Sequence, residues 1–152
     1  MESIGLKLEP YIEKRLLQIH STRPTLYGLE THLSLMQRAI DKFNPGVVII
    51  DPISNLINVG IESDVKSMLT RMIDYLKTKQ ITTLFTFLKG PDKKGESSEV
   101  ISSWIDTWIS LDTKELENDD VETRIRIVKS RGMAHVKKIK ELQLTDQGIK
   151  IV

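Results

Sequence analysis

Val47-Val48-Ile49-Ile50 is an unbroken run of β-branched apolar residues that ends on a carboxylate, Asp51. A strand with one face in water alternates apolar and polar residues, so a continuous run suits a strand buried on both faces of a parallel sheet. The flanking segments carry the other periodicity. Leu29, Leu33, Met36, Ile40 and Phe43 recur at helical spacing, which predicts an amphipathic helix over 28–43, ended by Asn44-Pro45-Gly46. Val65, Met68, Leu69, Met72, Ile73 and Leu76 predict a second helix over 62–79, and Ile81 to Leu88 (ITTLFTFL) a second central strand. Before them, residues 2–15 read as the end of a helix and a turn, and Leu16 to His20 (LLQIH) as a short strand. Helix and strand periods in alternation predict an α/β fold, a mostly parallel sheet flanked by helices.

The second half reads differently. Residues 89–99 (KGPDKKGESSE) are polar and glycine-bearing, hence a loop, followed by a short helix at about 99–105 and a strand over 107–111. Lys114 to Asp120 (KELENDD) is an acidic turn. Val121 to Lys129 is a strand with Val121, Ile125 and Ile127 on one face and Arg124 and Arg126 on the other. Strands over 139–145 and 149–152, joined at Asp146-Gln147-Gly148, complete a C-terminal antiparallel β-meander. No linker divides the chain, so 1–152 is expected to be one domain.

Composition removes several classes of function. With a net charge of +1 across 152 residues, no global field draws the chain to nucleic acid or an anionic membrane. Without cysteine there is neither a disulfide framework nor a thiolate zinc site, which fits a cytoplasmic setting. The histidines, at 20, 32 and 135, fall in different predicted elements and make a poor metal site. No run approaches a transmembrane span, and MESIGLKLEP lacks the basic and apolar regions of a signal peptide.

Individual motifs each admit two readings. A hydrophobic strand ending in Asp51 has the Walker B form: at the C-terminal edge of a parallel sheet a carboxylate can hold Mg²⁺ through water. Asp51-Pro52 equally suits the start of a helix. Gly90, Gly95 and Ser97 have the spacing of a phosphate-binding loop, but Glu96 stands where the lysine must be, so this is an ordinary loop. Lys129-Ser130-Arg131-Gly132-Met133-Ala134-His135 carries cations along a strand into a glycine turn. Such cations can stabilise a transferring phosphoryl group, or they can be a solvated hairpin tip. Lys137, Lys138 and Lys140 have no interleaved aromatics and read as a solvated strand face. Ser102 and Ser103 are hydroxyls near a helix end, where serines usually cap backbone groups.

Taken in order, these segments resemble the KaiC family of RecA-superfamily ATPases. Gly28 to Leu33 (GLETHL) is similar to the family's G-L-E-x-H-L. Val47 to Leu56 (VVIIDPISNL) is similar to its Walker B segment. Arg126 to His135 (RIVKSRGMAH) is similar to its K-x-R-G-x-x-H element, and Glu141 to Ile151 (ELQLTDQGIKI) to its E-F-x-I-T-D-x-G-I-x-I close. The likeness runs through nearly the whole chain and selects the functional reading for Asp51 and for Lys129–His135.

The resemblance implies a RecA-like P-loop NTPase core, truncated at its N-terminus, with the Walker A loop and the acidic pair that follows it upstream of Met1 in a longer parent. It implies ATP and Mg²⁺ in that parent, with none bound by this fragment, and a hexameric ring with ATP between subunits. Asp51 would be the Walker B carboxylate, holding Mg²⁺ through water. Lys129, Arg131 and His135 would face the nucleotide of the neighbouring subunit, with Arg131 acting in trans. Ser102 and Ser103 align with the adjacent Ser and Thr that part of the family autophosphorylates, with Ser in place of Thr at the second position. A clock-related or signalling role with a KaiB-like or other signalling partner follows; nucleic acid and membrane partners do not. The alternatives are a fragment of a RecA/RadA-type recombinase, for which the 89–98 loop is short and charge-mixed, and a non-catalytic interaction module.

Overall fold

The structure, a computed structural model, describes residues 5–88 and 103–152, apart from the side chains of residues 57, 58 and 62. In chain order its elements are α1 (Glu9–Glu13), α2 (Leu29–Phe43), β1 (Val47–Ile50), α3 (Glu62–Thr78), β2 (Thr82–Phe85), β3 (Thr107–Glu115), β4 (Val121–Ser130), β5 (Lys140–Thr145) and β6 (Gly148–Ile151), with short 3-10 helices at Pro24–Leu26 and Ile53–Asn58. They fall into two compact units, residues 18–97 and residues 1–17 with 98–152.

In the unit of residues 18–97, α2 ends where the sequence says it should. Asn44 takes the left-handed conformation at φ 51° and its N–H bonds back to Ile40 O at 2.7 Å. The chain turns directly into β1, which pairs in parallel with β2: Val47 opposite Thr82, Val48 opposite Thr83, Ile49 opposite Leu84, Ile50 opposite Phe85. The core is the predicted stripe of α3, with Val65, Met68, Leu69, Met72 and Leu76 buried, joined by Leu33 and Ile40 of α2 and by Ile53 and Leu56. Outside this core α2 and α3 are tied by charge. Arg71 Nη1 donates to Glu30 Oε2 at 3.1 Å, and its Nη2 donates to Glu30 Oε1. The Tyr75 hydroxyl donates to Asp41 Oδ1 at 2.7 Å, and Lys79 Nζ lies 2.7 Å from the same oxygen.

In the other unit β3, β4, β5 and β6 form a four-stranded antiparallel sheet in sequence order, the expected meander. Pairing of β3 with β4 runs from Thr107 opposite Ser130 to Glu115 opposite Val121, with a register shift between Trp108 and Ile109. Arg124 Nε and Nη2 donate to the Asp112 carboxylate at 3.0 and 3.2 Å across this pair. Gly148, at φ 118°, closes the β5–β6 turn in a conformation that disfavours a side chain.

Several expectations are corrected. Leu16–His20 is not a strand: the N–H groups of Leu16 and Leu17 bond to Tyr11 O, which closes the end of α1, and Leu17 to His20 join no ladder. The run 47–50 is not buried on both faces. Val47 and Ile49 are 60% and 62% exposed, because the helices cover only the side carrying Val48 and Ile50. The second strand is shorter than 81–88, ending at Phe85, while β3 runs on to Glu115 and so takes up the start of the expected acidic turn. The two faces of β4 are as expected, but Val121 at its start is exposed and Arg124 is partly covered by its pairing with Asp112. Val136 to Ile139 form no strand; of that lysine-rich segment only Lys140 joins one. Ser103 and Trp104 form a turn rather than a helix. The rest of that helix, the 89–99 loop with its Gly90–Ser97 near-match, and Ser102 lie outside the described residues.

Two outcomes are expected. Met72, fully buried in α3, should cost about 2–5 kcal/mol when truncated to Ala, read from urea unfolding of this chain. The charged ties set the pH dependence. Bonding to Arg71 holds Glu30 below its ordinary 4.5, and bonding to Lys79 and Tyr75 holds Asp41 below its ordinary 3.8. Asp41 in turn raises Lys79 above 10.5, while burial, and Asp41 after it, raises Tyr75 above 10.0. A lowered carboxylate contributes fully above its ordinary value and its contribution fades as pH falls; the raised groups contribute fully below theirs and fade as pH rises. Asp41→Asn should therefore flatten the fall of the urea midpoint on both sides, below about pH 4 and above about pH 10. An unchanged profile would mean that the ties of Asp41 to Tyr75 and Lys79 carry no stability.

Candidate functional site

The parallel register decides what stands beside Asp51. Continuing one step past Ile50 opposite Phe85 brings Asp51 opposite Thr86. Main-chain bonds carry the pairing beyond the strands: Thr86 N–H donates to Ile50 O at 3.1 Å, and Ile53 N–H donates to Thr86 O at 2.9 Å. The Thr86 hydroxyl donates to Asp51 Oδ1, and Leu88 N–H donates to Ser54 Oγ at 3.3 Å. The Asp51-Pro52 peptide is cis. The 3-10 helix that follows is capped by Pro52 with no side-chain cap, so Asp51 does not do the work of a helix start. Its carboxylate is exposed at the C-terminal edge of the sheet, with Oδ2 left without a protein partner among the described residues.

In the other unit β4 delivers Lys129 and Arg131 to a glycine turn. Gly132 sits at φ 69°, the left-handed region in which a Cβ is strained. Both cations reach back to the turn before β3. Lys129 Nζ donates to Ile105 O at 3.1 Å. Arg131 Nη2 donates to Ser103 O at 2.7 Å, its Nη1 lies 3.6 Å from Asp106 Oδ1, and its backbone N–H donates to Asp106 O at 2.8 Å. Half-buried His135 has Nδ1 3.5 Å from Met133 O. With Nδ1 as the donor, Nε2 is the nitrogen left for another partner.

Of the residues singled out in the sequence, Lys129, Arg131 and Ser103 are brought together, and Asp51 belongs to the other unit. Two residues were missed. Thr86 was legible in principle: laying VVIID beside TTLFT in parallel register puts a hydroxyl opposite the carboxylate. Asp106 carried no such signal, because only the folded turn brings it to Arg131.

A parallel sheet layered with helices, followed at the C-terminal end by a four-stranded antiparallel sheet, is the RecA-like fold of the KaiC-type ATPases. The model of the family described as "ATPase: KaiC" matches residues 1–152, and the chain belongs to that family. It is 40% identical over 155 residues to the circadian clock protein KaiC2 of Synechocystis sp. (strain ATCC 27184 / PCC 6803 / Kazusa), an alignment covering all of this chain and 27% of that protein. It is 30% identical over 148 residues to the circadian clock oscillator protein KaiC of Synechococcus elongatus, covering 96% of this chain and 28% of the relative. The KaiC of Rippkaea orientalis is 29% identical over 150 residues. The chain thus spans just over a quarter of the length of these relatives. The recombinase reading is not favoured. Among the described residues no helix is long and apolar enough to cross a membrane.

Removing the Thr86 hydroxyl with Thr86→Val should cost about 1 kcal/mol in urea unfolding, the usual worth of one such bond, while Thr86→Ser should keep most of it. No loss in Thr86→Val together with a loss in Thr86→Ser would show that the methyl group, not the hydroxyl, matters.

Proposed function

We propose that this chain is the Walker B part of an ATPase subunit that assembles into a hexameric ring and serves a clock-type or signalling role in the cytoplasm. The observation that carries the reading is Asp51: an exposed carboxylate at the C-terminal sheet edge, oriented by Thr86 and not spent on capping the next helix. The chemistry of that edge fits a magnesium nucleotide. Mg²⁺ keeps several waters and is held by one or two carboxylates together with phosphate oxygens. One free carboxylate oxygen suits that arrangement, and no group of three or more acidic or histidine ligands stands among the described residues. Bound there, Mg²⁺·ATP would supply the phosphoryl group and screen its charge.

The sequence contains no G-x-x-x-x-G-K-[ST], so the phosphate loop comes from outside this chain and the chain alone does not hydrolyse ATP. Lys129, Arg131 and His135 serve the nucleotide of the neighbouring subunit. Arg131 offers a fixed fork of donors and stays charged at any working pH, which suits a charge that grows in the transition state. The clock-type role is supported by the circadian clock proteins this chain resembles; autophosphorylation at Ser102 or Ser103, and a KaiB-like or other signalling partner, belong to the same reading through the sequence motifs shared with the family.

Mixed rings of the full-length protein test it. Arg131→Ala should lower ATP turnover roughly 10³-fold, far more than it weakens ATP binding. Asp51→Asn should be nearly inactive as well. Mixed and allowed to exchange subunits, the two variants create interfaces that pair an intact Asp51 with an intact Arg131, and part of the turnover should return. No return after demonstrated exchange would make Arg131 a residue of its own subunit's site or a structural one. Labelled phosphate from ATP, followed in the same samples by mass spectrometry, should appear on the peptide holding Ser102 and Ser103. ATP consumed with that peptide unmodified would mean an ATPase without autokinase activity.

A further inference from the structure

We propose that Asp106 is a positioning residue for Arg131, and that the turn Ser103–Asp106 is the holder that aims the guanidinium. The inference rests on the reading of Arg131 as a cation for a nucleotide phosphate and adds what orients it.

Arg131 stands at the end of β4 on a glycine turn, and its side chain is about half exposed. A long side chain there samples many rotamers, and each one lost on engaging a phosphate weighs against the useful geometry. The turn before β3 removes that freedom in advance. Three of its carbonyls face the end of β4: Ser103 O takes Arg131 Nη2, Ile105 O takes Lys129 Nζ, and Asp106 O takes the Arg131 backbone N–H. The hydroxyls of Thr107 and Ser130, 3.2 Å apart, continue the seam. The Asp106 carboxylate faces Nη1 at 3.6 Å and contributes the formal negative charge to this set.

These contacts differ in what they fix. The backbone bond locates the Cα of Arg131. The Ser103 carbonyl and the Asp106 carboxylate, on the two terminal nitrogens, fix the plane of the fork. A guanidinium has five N–H groups, so this engagement leaves donors for a second anion. Asp106 does not lock the arginine away. An exposed ion pair is weak, and Arg–phosphate bonding is bidentate and stronger, so a phosphate can share or take over the fork once it arrives. Because the guanidinium is always charged, Asp106 sets its direction and not its protonation.

The test uses the full-length protein and a double-mutant cycle. Asp106→Ala and Asp106→Asn are made with Arg131 intact and with Arg131→Lys, which keeps the charge but lacks the fork. Asp106→Ala should lower kcat about 10-fold with KM for ATP changed less than about 2-fold, and Asp106→Asn should lie between it and the parent. In the Arg131→Lys background the further loss should shrink to less than about 2-fold, because there is no fork left to aim. An equal loss in both backgrounds would make Asp106 a structural residue and overturn the inference. Should Asp106→Ala fail to fold, Asp106→Asn alone carries the cycle. The two levels of reading separate in the same assay. If Arg131→Ala is slow and neither Asp106 variant is, only the positioning role fails. If Arg131→Ala turns over at the parental rate, the phosphate-facing reading fails and takes this one with it.

Discussion

The parallel register between β1 and β2 governs the arrangement of the described residues 18–88. It is fixed by two demands that agree. The side chains of Val48 and Ile50 must point toward the helix layer, and a one-residue slip would turn them to the other face. The main-chain bonds beyond the strands, from Thr86 N–H to Ile50 O and from Ile53 N–H to Thr86 O, then admit one alignment. Once that alignment holds, Thr86 stands beside Asp51 without further design. The Asp51 carboxylate is oriented through the same register that holds the sheet. The helices need a different adhesive. Their buried stripe is apolar, and the charged ties at Glu30–Arg71 and Asp41–Tyr75–Lys79 lie at its edge, where solvent weakens each tie but leaves its directionality.

Residues 103–152 solve the orienting problem in another way. The side chain of Asp51 is short, its carboxylate one methylene from the backbone, so a single hydroxyl suffices. The cations of β4 are long and need contacts far along the side chain. The turn before β3 supplies them because β3 and β4 are antiparallel neighbours: Thr107 opposite Ser130 places the residue before one strand beside the residue after the other. Backbone carbonyls do most of the holding, and they are insensitive to which side chains the turn carries. Asp106 is the exception, which is why it is the place where a substitution can change aim without removing the turn.

Much of this fold was legible in the sequence. The stripe of α3 was read residue by residue, and the meander followed from alternating strands and the Asp146–Gly148 turn. The failures share a cause. Leu16–His20 has the composition of a strand but joins no ladder, since a strand is defined by its neighbour and not by its own residues. The run Val47–Ile50 reads as buried twice over. Composition records that both faces are apolar, and says nothing of whether each is covered in a given chain; here Val47, Ile49 and Leu84 stay exposed. The faces of β4 were read correctly, Val121, Ile125 and Ile127 on one and Arg124 and Arg126 on the other, but alternation does not tell how far each is covered: Val121 stays exposed while pairing with Asp112 draws Arg124 in.

The site divides along the same line. Asp51, Lys129, Arg131 and His135 could be proposed because charge at the end of a strand leaves a local trace in the sequence. Thr86 and Asp106, which orient two of them, were missed, because the partner of each lies far away along the chain. The Thr86–Asp51 bond spans 35 positions, and the Arg131–Ser103 and Lys129–Ile105 bonds span 28 and 24. A residue that carries charge can be recognised by what it is. A residue that aims charge is chemically ordinary, a threonine or a surface aspartate, and is distinguished only by where register and turn geometry place it. It follows that substitutions at such holders should change how well the site works while leaving its inventory of charged groups intact, a class of effect that motif reading does not anticipate.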